Sequence, residues 1–172
     1  TFWKNDPKVP KPSEIKTEVF FLPAASIAAK EGSFTNTQRL LQWHDKAVDP
    51  EGDCRTDLWM VWNLGRRLKE LYKGSDKPQD QAIQALTWDY DPDHPHRLPD
   101  GSPSRIEGEP DAHKVLQEIN GWHVHEKDPA TGKPKLLQNF NECKDDGTTA
   151  CGGWIYCGVF PAYDRNRARE RI

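Results

Sequence analysis

Proline decides where this chain cannot be regular. Pro7, Pro10 and Pro12 exclude a helix over the first residues. Each lacks a backbone N–H and pushes the preceding residue toward extended geometry. Five more prolines, at 92, 95, 99, 103 and 110, leave residues 89–110 only a loop to form. With 14 Pro and 12 Gly among 172 residues, and a hydrophobic fraction of 35%, the chain reads as a loop-heavy domain or a piece of a larger protein. Seven Trp and six Phe still provide material for a core.

Between the breakers lie a few elements. Val19-Phe20-Phe21-Leu22 is a continuous apolar run closed by Pro23. It reads as a strand buried on both faces of a parallel sheet. Residues 32–43 show no clean period and read as strand or extended loop, and 49–53 as a turn. Thr56 can cap a helix from about Asp57 to Tyr72. Leu58, Val61, Trp62, Gly65, Leu68, Leu71 and Tyr72 give it one apolar face, and Lys73-Gly74 stops it. Pro78 opens a short helix to about Leu86, with Ala82, Ile83 and Leu86 inward. Pro110-Asp111 starts another, striped by Ala112, Val115, Leu116 and Ile119 and ended by Asn120-Gly121. Residues 122–137 read as two strands about a Pro/Gly turn, and Trp154 to Phe160 as a last strand. The chain thus divides near residue 75. The first part is strand–loop–helix, the tail of an α/β unit; the second is an irregular α+β insertion with little hydrophobic mass.

Charge excludes one class of partner. With 24 basic and 27 acidic residues and no long run of one sign, no nucleic-acid surface is indicated. The basic tail at 165–172 reads as a solvated helix end. No stretch approaches the roughly 18 apolar residues that span a bilayer. The chain opens at Thr1 with no initiating Met or signal-peptide pattern, and reads as the middle of a longer protein. Cys54, Cys143, Cys151 and Cys157 show no zinc or iron–sulfur spacing. Buried free thiols are the expectation, with one disulfide among the last three as the alternative in an oxidising compartment.

In open α/β sheets, ligands lie beyond the carboxyl ends of strands. Leu22-Pro23 is such an end, so residues 24–32 should line a crevice. Lys30 can meet a phosphate as a point charge, and Gly32 lets backbone approach closely. Asp57, at a helix start, can accept two parallel hydrogen bonds from the N1–H and N2 amine of guanine, each worth about 1.5–3 kcal/mol. On this reading the two side chains grip opposite ends of a nucleotide-like ligand. The bland alternatives are a surface ion pair for Lys30 and a helix-dipole partner for Asp57.

"EVFFLPAASIAAKEGSFTNTQRLLQW" followed by "TDLWMVWNL" resembles the late molybdopterin-binding part of the molybdenum/tungsten oxidoreductases related to dimethyl sulfoxide reductase. "LLQWHDKAVDPEGD" and "KDDGTTACGGWIYCGVF" resemble, more narrowly, the large catalytic (alpha) subunits of respiratory formate dehydrogenases. The likeness runs over nearly the whole chain and is weakest at 89–110. It implies residues 1–75 as the end of a parallel-sheet molybdopterin-binding domain and 76–172 as a loop-rich insertion. It implies that Lys30 and Asp57 contact molybdopterin guanine dinucleotide carrying Mo or W, with Glu31, Gly32, Asn36 and Gln38 as neighbours. Gln38 stands where relatives often have Glu.

The same resemblance marks what is missing. The family sets a Cys or selenocysteine, followed by His, on the metal, and holds a [4Fe–4S] centre in an N-terminal cysteine cluster. Neither occurs here, so the chain reads as an internal fragment that helps seat the cofactor and cannot itself oxidise formate. The implied partners are the remainder of the large subunit, an iron–sulfur electron-transfer subunit and a membrane cytochrome subunit; the implied location is periplasmic. The alternatives are an interaction module facing the electron-transfer subunit, and a related enzyme such as a nitrate reductase. Metal binding by His123/His125 or His94/His96, a Cys151 nucleophile and a Trp59/Trp62 stacking platform are weaker readings of the residues.

Overall fold

Helix α1 (Asp57–Tyr72) begins where its cap demands. The Thr56 hydroxyl oxygen accepts from the Trp59 N–H at 3.0 Å, meeting one of the donors a helix start leaves open. Asp57 and Lys69 sit at the ends that the helix dipole favours. The helix ends at Lys73, and Gly74 follows with φ 77°. In this computed structural model, which describes residues 11, 13, 16–35 and 40–170, only part of the apolar stripe is used. Trp62 and Gly65 are buried, whereas Val61, Leu68 and Leu71 are exposed.

Ahead of α1, strands β1 (Gly32–Thr35) and β2 (Leu41–His44) pair antiparallel, Gly32 opposite His44 and Thr35 opposite Leu41. The stretch without a clean period is therefore a hairpin, with residues 36–39 of its connection outside the described set. After α1, a 3-10 turn (Pro78–Asp80) leads into the short helix α2 (Gln81–Ala85). The predicted inward face of α2 is not realised: Ala82 and Leu86 are exposed and Ile83 half-buried. Five residues are too few to build a buried stripe. Residues 89–110 are irregular, as the prolines require, apart from an isolated bridge between Arg97 and Pro103.

Helix α3 (Ala112–Asn120) is capped by Asp111, whose carboxylate accepts from the N–H groups of His113 at 2.7 Å and Lys114 at 3.3 Å. Gly121, φ 87°, turns the chain into β3 (Trp122–Lys127), which pairs antiparallel with β4 (Pro134–Leu136) and β5 (Thr149–Ala150) in the order β4-β3-β5. Trp154–Tyr156 is a 3-10 turn, not the expected strand. The β5 partner of β3 comes earlier, at Thr149; just after it the Gly152 N–H donates to the Ile119 carbonyl at 3.0 Å, tying the chain to α3. The basic tail is also a 3-10 turn (Arg167–Arg169) rather than a longer helix end.

The core lies in the second half of the chain: Leu116, Leu136, Val159 and Phe160, with Leu41 and Trp43 of the hairpin packed on it. At its centre Asn120 is 0% exposed. Its amide donates to the carbonyls of Gly121 and Leu137, and its oxygen accepts from the N–H groups of Gly158 and Phe160, at 2.9–3.1 Å. One side chain thus ties the end of α3 to β4 and to the last loop.

Two strand expectations change. Val19–Leu22 belongs to no strand, and all four side chains are exposed, Phe21 to 87%. Both sheets are antiparallel, and the parallel contact present is the bridge between Ala24 and Arg55. A parallel strand must pair with segments reached by crossovers; the described residues supply none for 19–22.

Candidate functional site

The site is built on the short parallel contact. Arg55 N–H donates to the Pro23 carbonyl at 3.1 Å, and Ala25 N–H to the Arg55 carbonyl at 2.8 Å. This sets the segment leaving Pro23 beside the residue that precedes the Thr56 cap. Ala25 and Ala29 are buried, and a 3-10 turn over Ile27–Ala29 brings Lys30 back toward the start of α1. Small side chains permit that close passage.

There Lys30 and Asp57, 27 residues apart, meet: Nζ lies 2.6 Å from Oδ2. The hydrogen bond from Lys30 holds the Asp57 carboxyl below the usual aspartate range. The carboxylate remains 66% exposed and the Lys30 side chain 29% exposed. The two side chains expected to grip a ligand here pair with each other at the start of α1. The pair borders an open groove of about 340 Å³, also walled by Gly32, His44, Leu58 and Tyr156. Gly32 has φ 152°, and a Cβ there would meet no atom within 4 Å, so its backbone is open to a close approach.

Glu31 takes a different direction. Its Oε1 lies 3.5 Å from His96 Nδ1, and burial pushes its carboxyl above the usual range, with His96 acting against that shift. Asn36 and Gln38 lie outside the described residues. The structure also brings in residues that the sequence did not single out. Glu109 Oε2 accepts from the Thr56 hydroxyl at 2.7 Å, and His96 Nε2 lies 3.3 Å from the Glu109 carbonyl oxygen. No local pattern in the Pro-rich loop signals these contacts.

The residues fit an anionic cofactor. An exposed carboxylate is available to paired N–H donors, an ammonium lies beside it, and a Cβ-free position opens on the same groove. No cluster of three or more His, Cys, Asp or Glu residues suited to a metal occurs among the described residues. His123 instead approaches Glu142 at 3.4 Å and Glu126 at 3.6 Å. Cys151 serves the turn: its sulfur accepts from Gly153 N–H and lies 3.2 Å from Cys157 Sγ, whose thiol is pushed up to about 12, chiefly by burial. All four cysteines are free thiols. Trp62 is core, with Arg66 over its ring. A second groove, of about 520 Å³, is walled by charges already paired, among them Lys114 with Asp93 and Arg169 with Asp45.

Comparison with known proteins now bears on the site. Residues 20–67 match the family model "Molybdopterin oxidoreductase". Over 164 residues, 91% of this chain, the sequence is 34% identical to the formate dehydrogenase major subunit of Haemophilus influenzae. Over 165 residues, 92% of the chain, it is 33% identical to the nitrate-inducible formate dehydrogenase major subunit of Escherichia coli K12. In each case the match covers 15% of the relative's own length, so the chain corresponds to one segment of those subunits. A nitrate reductase of Symbiobacterium thermophilum is 43% identical, over only 47 residues, 27% of the chain. Residues 20–67 thus resemble the molybdopterin oxidoreductases, and over nearly all its length the chain is homologous to a segment of formate dehydrogenase large subunits.

Proposed function

We propose that this chain seats the guanine end of a molybdopterin guanine dinucleotide within a formate dehydrogenase large subunit. The observation that carries this reading is the Lys30–Asp57 pair at the start of α1, beside an open groove inside the segment that matches the family model. Asp57 accepts the N1–H and N2 amine of guanine. Lys30 then turns from the carboxylate toward a phosphate oxygen, and Gly32 allows the backbone to close on the ligand. Glu31, Asn36 and Gln38 flank this contact. When bound, the cofactor supplies the redox chemistry, with Mo or W.

The activity proposed for the whole protein is oxidation of formate to carbon dioxide, with electrons leaving through the pterin to [4Fe–4S] centres. Support comes from the formate dehydrogenase relatives, whose likeness extends over the insertion, whereas that of the nitrate reductase covers 27% of the chain. The division near residue 75, an iron–sulfur partner subunit, a membrane cytochrome subunit and a periplasmic location belong to the same reading.

The exposed run Val19–Leu22 favours one further partner, the rest of the large subunit. Four consecutive apolar residues open to solvent suit a central strand of a parallel sheet completed by that subunit. Residues 75–172, facing the electron-transfer subunit, would then act as an interaction module as well.

The test is Asp57→Asn in the full enzyme. The amide replaces one acceptor with a donor that opposes guanine's own donors. Guanine nucleotide released from the denatured protein and formate oxidation both fall together. Unchanged nucleotide content would remove Asp57 from the site.

A further inference from the structure

The Pro-rich loop reaches back to both halves of the candidate pair. Glu109, the next-to-last residue of the loop, is bonded to Thr56, the cap directly before Asp57. His96, earlier in the loop, stands against Glu31, directly after Lys30, and against the Glu109 carbonyl. A separate anchor lies to one side: Lys46 Nζ donates to Ser104 Oγ at 2.7 Å, and Ser104 Oγ donates to Asp49 Oδ1 at 2.6 Å.

Glu109 is the unusual member. It is 7% exposed, and its Oε1 is buried without a hydrogen-bond partner among the described residues. It also lines a cavity of about 20 Å³ together with Lys30 and His96. Burying a carboxyl with one unmet oxygen is unfavourable, and a buried apolar residue would serve loop packing better. Only its bond to Thr56 uses the charge. Thr56 Oγ1 spends its proton on Glu109 and its lone pair on Trp59 N–H, so the hydroxyl has a fixed orientation and the first turn of α1 a fixed position.

We infer that Glu109 is a positioning residue for the cofactor contact: through Thr56 it fixes the first turn of α1, and with it the direction of the Asp57 carboxylate. The 89–110 loop is the strap that delivers it. This rests on the reading of Lys30 and Asp57 as cofactor-binding residues, and it adds a role for a segment in which the likeness to relatives gives no motif.

The experiment uses the full large subunit, purified with its partners, and reads guanine nucleotide released per polypeptide after denaturation, before and after dialysis. Glu109→Ala and Thr56→Val each lower the retained nucleotide roughly tenfold or more, the size of one lost hydrogen bond to a charged group. The double variant is no worse than either single one, because both break the same link. Glu109→Gln and Thr56→Ser, which keep an acceptor and a hydroxyl, restore most of the content. Ser104→Ala, which removes the Lys46–Ser104–Asp49 bonds from the loop's other anchor, retains nucleotide as the unsubstituted enzyme does. If Glu109→Ala does not fold, the Thr56→Val and Thr56→Ser pair decides the matter by the same readout. Full content in Glu109→Ala or Thr56→Val overturns the inference. So does an equal loss in Ser104→Ala, which would mean loosening of the whole loop. If Asp57→Asn loses nucleotide while Glu109→Ala does not, only the positioning role fails. If Asp57→Asn also retains it, the binding reading fails and takes this one with it.

Discussion

The ring of Trp88 lies directly on the backbone of Gly65, so that a Cβ at position 65 would overlap three of its ring carbons. The Trp62 indole N–H donates to the Trp88 carbonyl at 3.1 Å, and Trp88 itself sits at φ 43°, which non-glycine residues seldom adopt. An exposed mid-helix Gly→Ala change gains up to about 1 kcal/mol from helix propensity. Here overlap outweighs it. Gly65→Ala should destabilise the chain by about 1–3 kcal/mol in urea unfolding. A gain in stability would show that the ring moves aside freely.

Asn120 offers a sharper test of the core. All four of its hydrogen bonds go to backbone groups in three separate segments. Asn120→Ala strands two carbonyls and two N–H groups in a dry interior. The expected loss is on the order of 3 kcal/mol or more. Asn120→Asp should be at least as damaging, since a carboxylate oxygen would face the Gly121 and Leu137 carbonyls. Thermal unfolding of the two variants checks both statements.

Asp49 should govern part of the acid sensitivity. Burial raises its carboxyl, but bonds from Ser104, the Arg105 N–H and Lys46 outweigh this and hold it below the usual aspartate range. A carboxyl depressed on folding stabilises above its unfolded value, near 3.9, and that contribution fades as pH falls through the folded value. Asp49→Ala also leaves buried Lys46 without its 3.2 Å counter-charge. At neutral pH the variant should lose about 3 kcal/mol. The gap should close as pH falls below the usual aspartate value. A gap constant with pH would mean that packing, not charge, is at work.

Phe20 and Phe21 separate stability from assembly. Both are exposed, so changing them to Ser should alter the chain's own unfolding by no more than about 0.5 kcal/mol. In the full large subunit the same changes should sharply reduce soluble, cofactor-loaded protein. Unaltered yield would mean that this run is not covered there.

The sequence by itself determined the elements whose signals are local. Thr56 and Asp111 cap their helices because a side-chain oxygen need only reach a backbone N–H two or three residues away. Prolines forbid regular structure over 89–110 for an equally local reason. It also carried the family resemblance, through the Lys-Glu-Gly segment and the Asp57 helix start. It read Val19–Leu22 as a strand, and no strand forms there among the described residues, because a parallel strand is defined by neighbours reached through crossovers. It misjudged Trp154–Phe160, because the chain just before it bonds to the end of α3, through Gly152 N–H and the Ile119 carbonyl, a contact that no local pattern signals.

Only the tertiary structure decided the rest. That Lys30 meets Asp57 depends on how the 23–30 segment passes Arg55. That Glu109 seats Thr56, across 53 residues, and that Asn120 ties three segments together depend on long-range closure. Such contacts form only once the intervening chain has folded, and no periodicity or spacing along the sequence encodes which distant polar groups will be left to find one another.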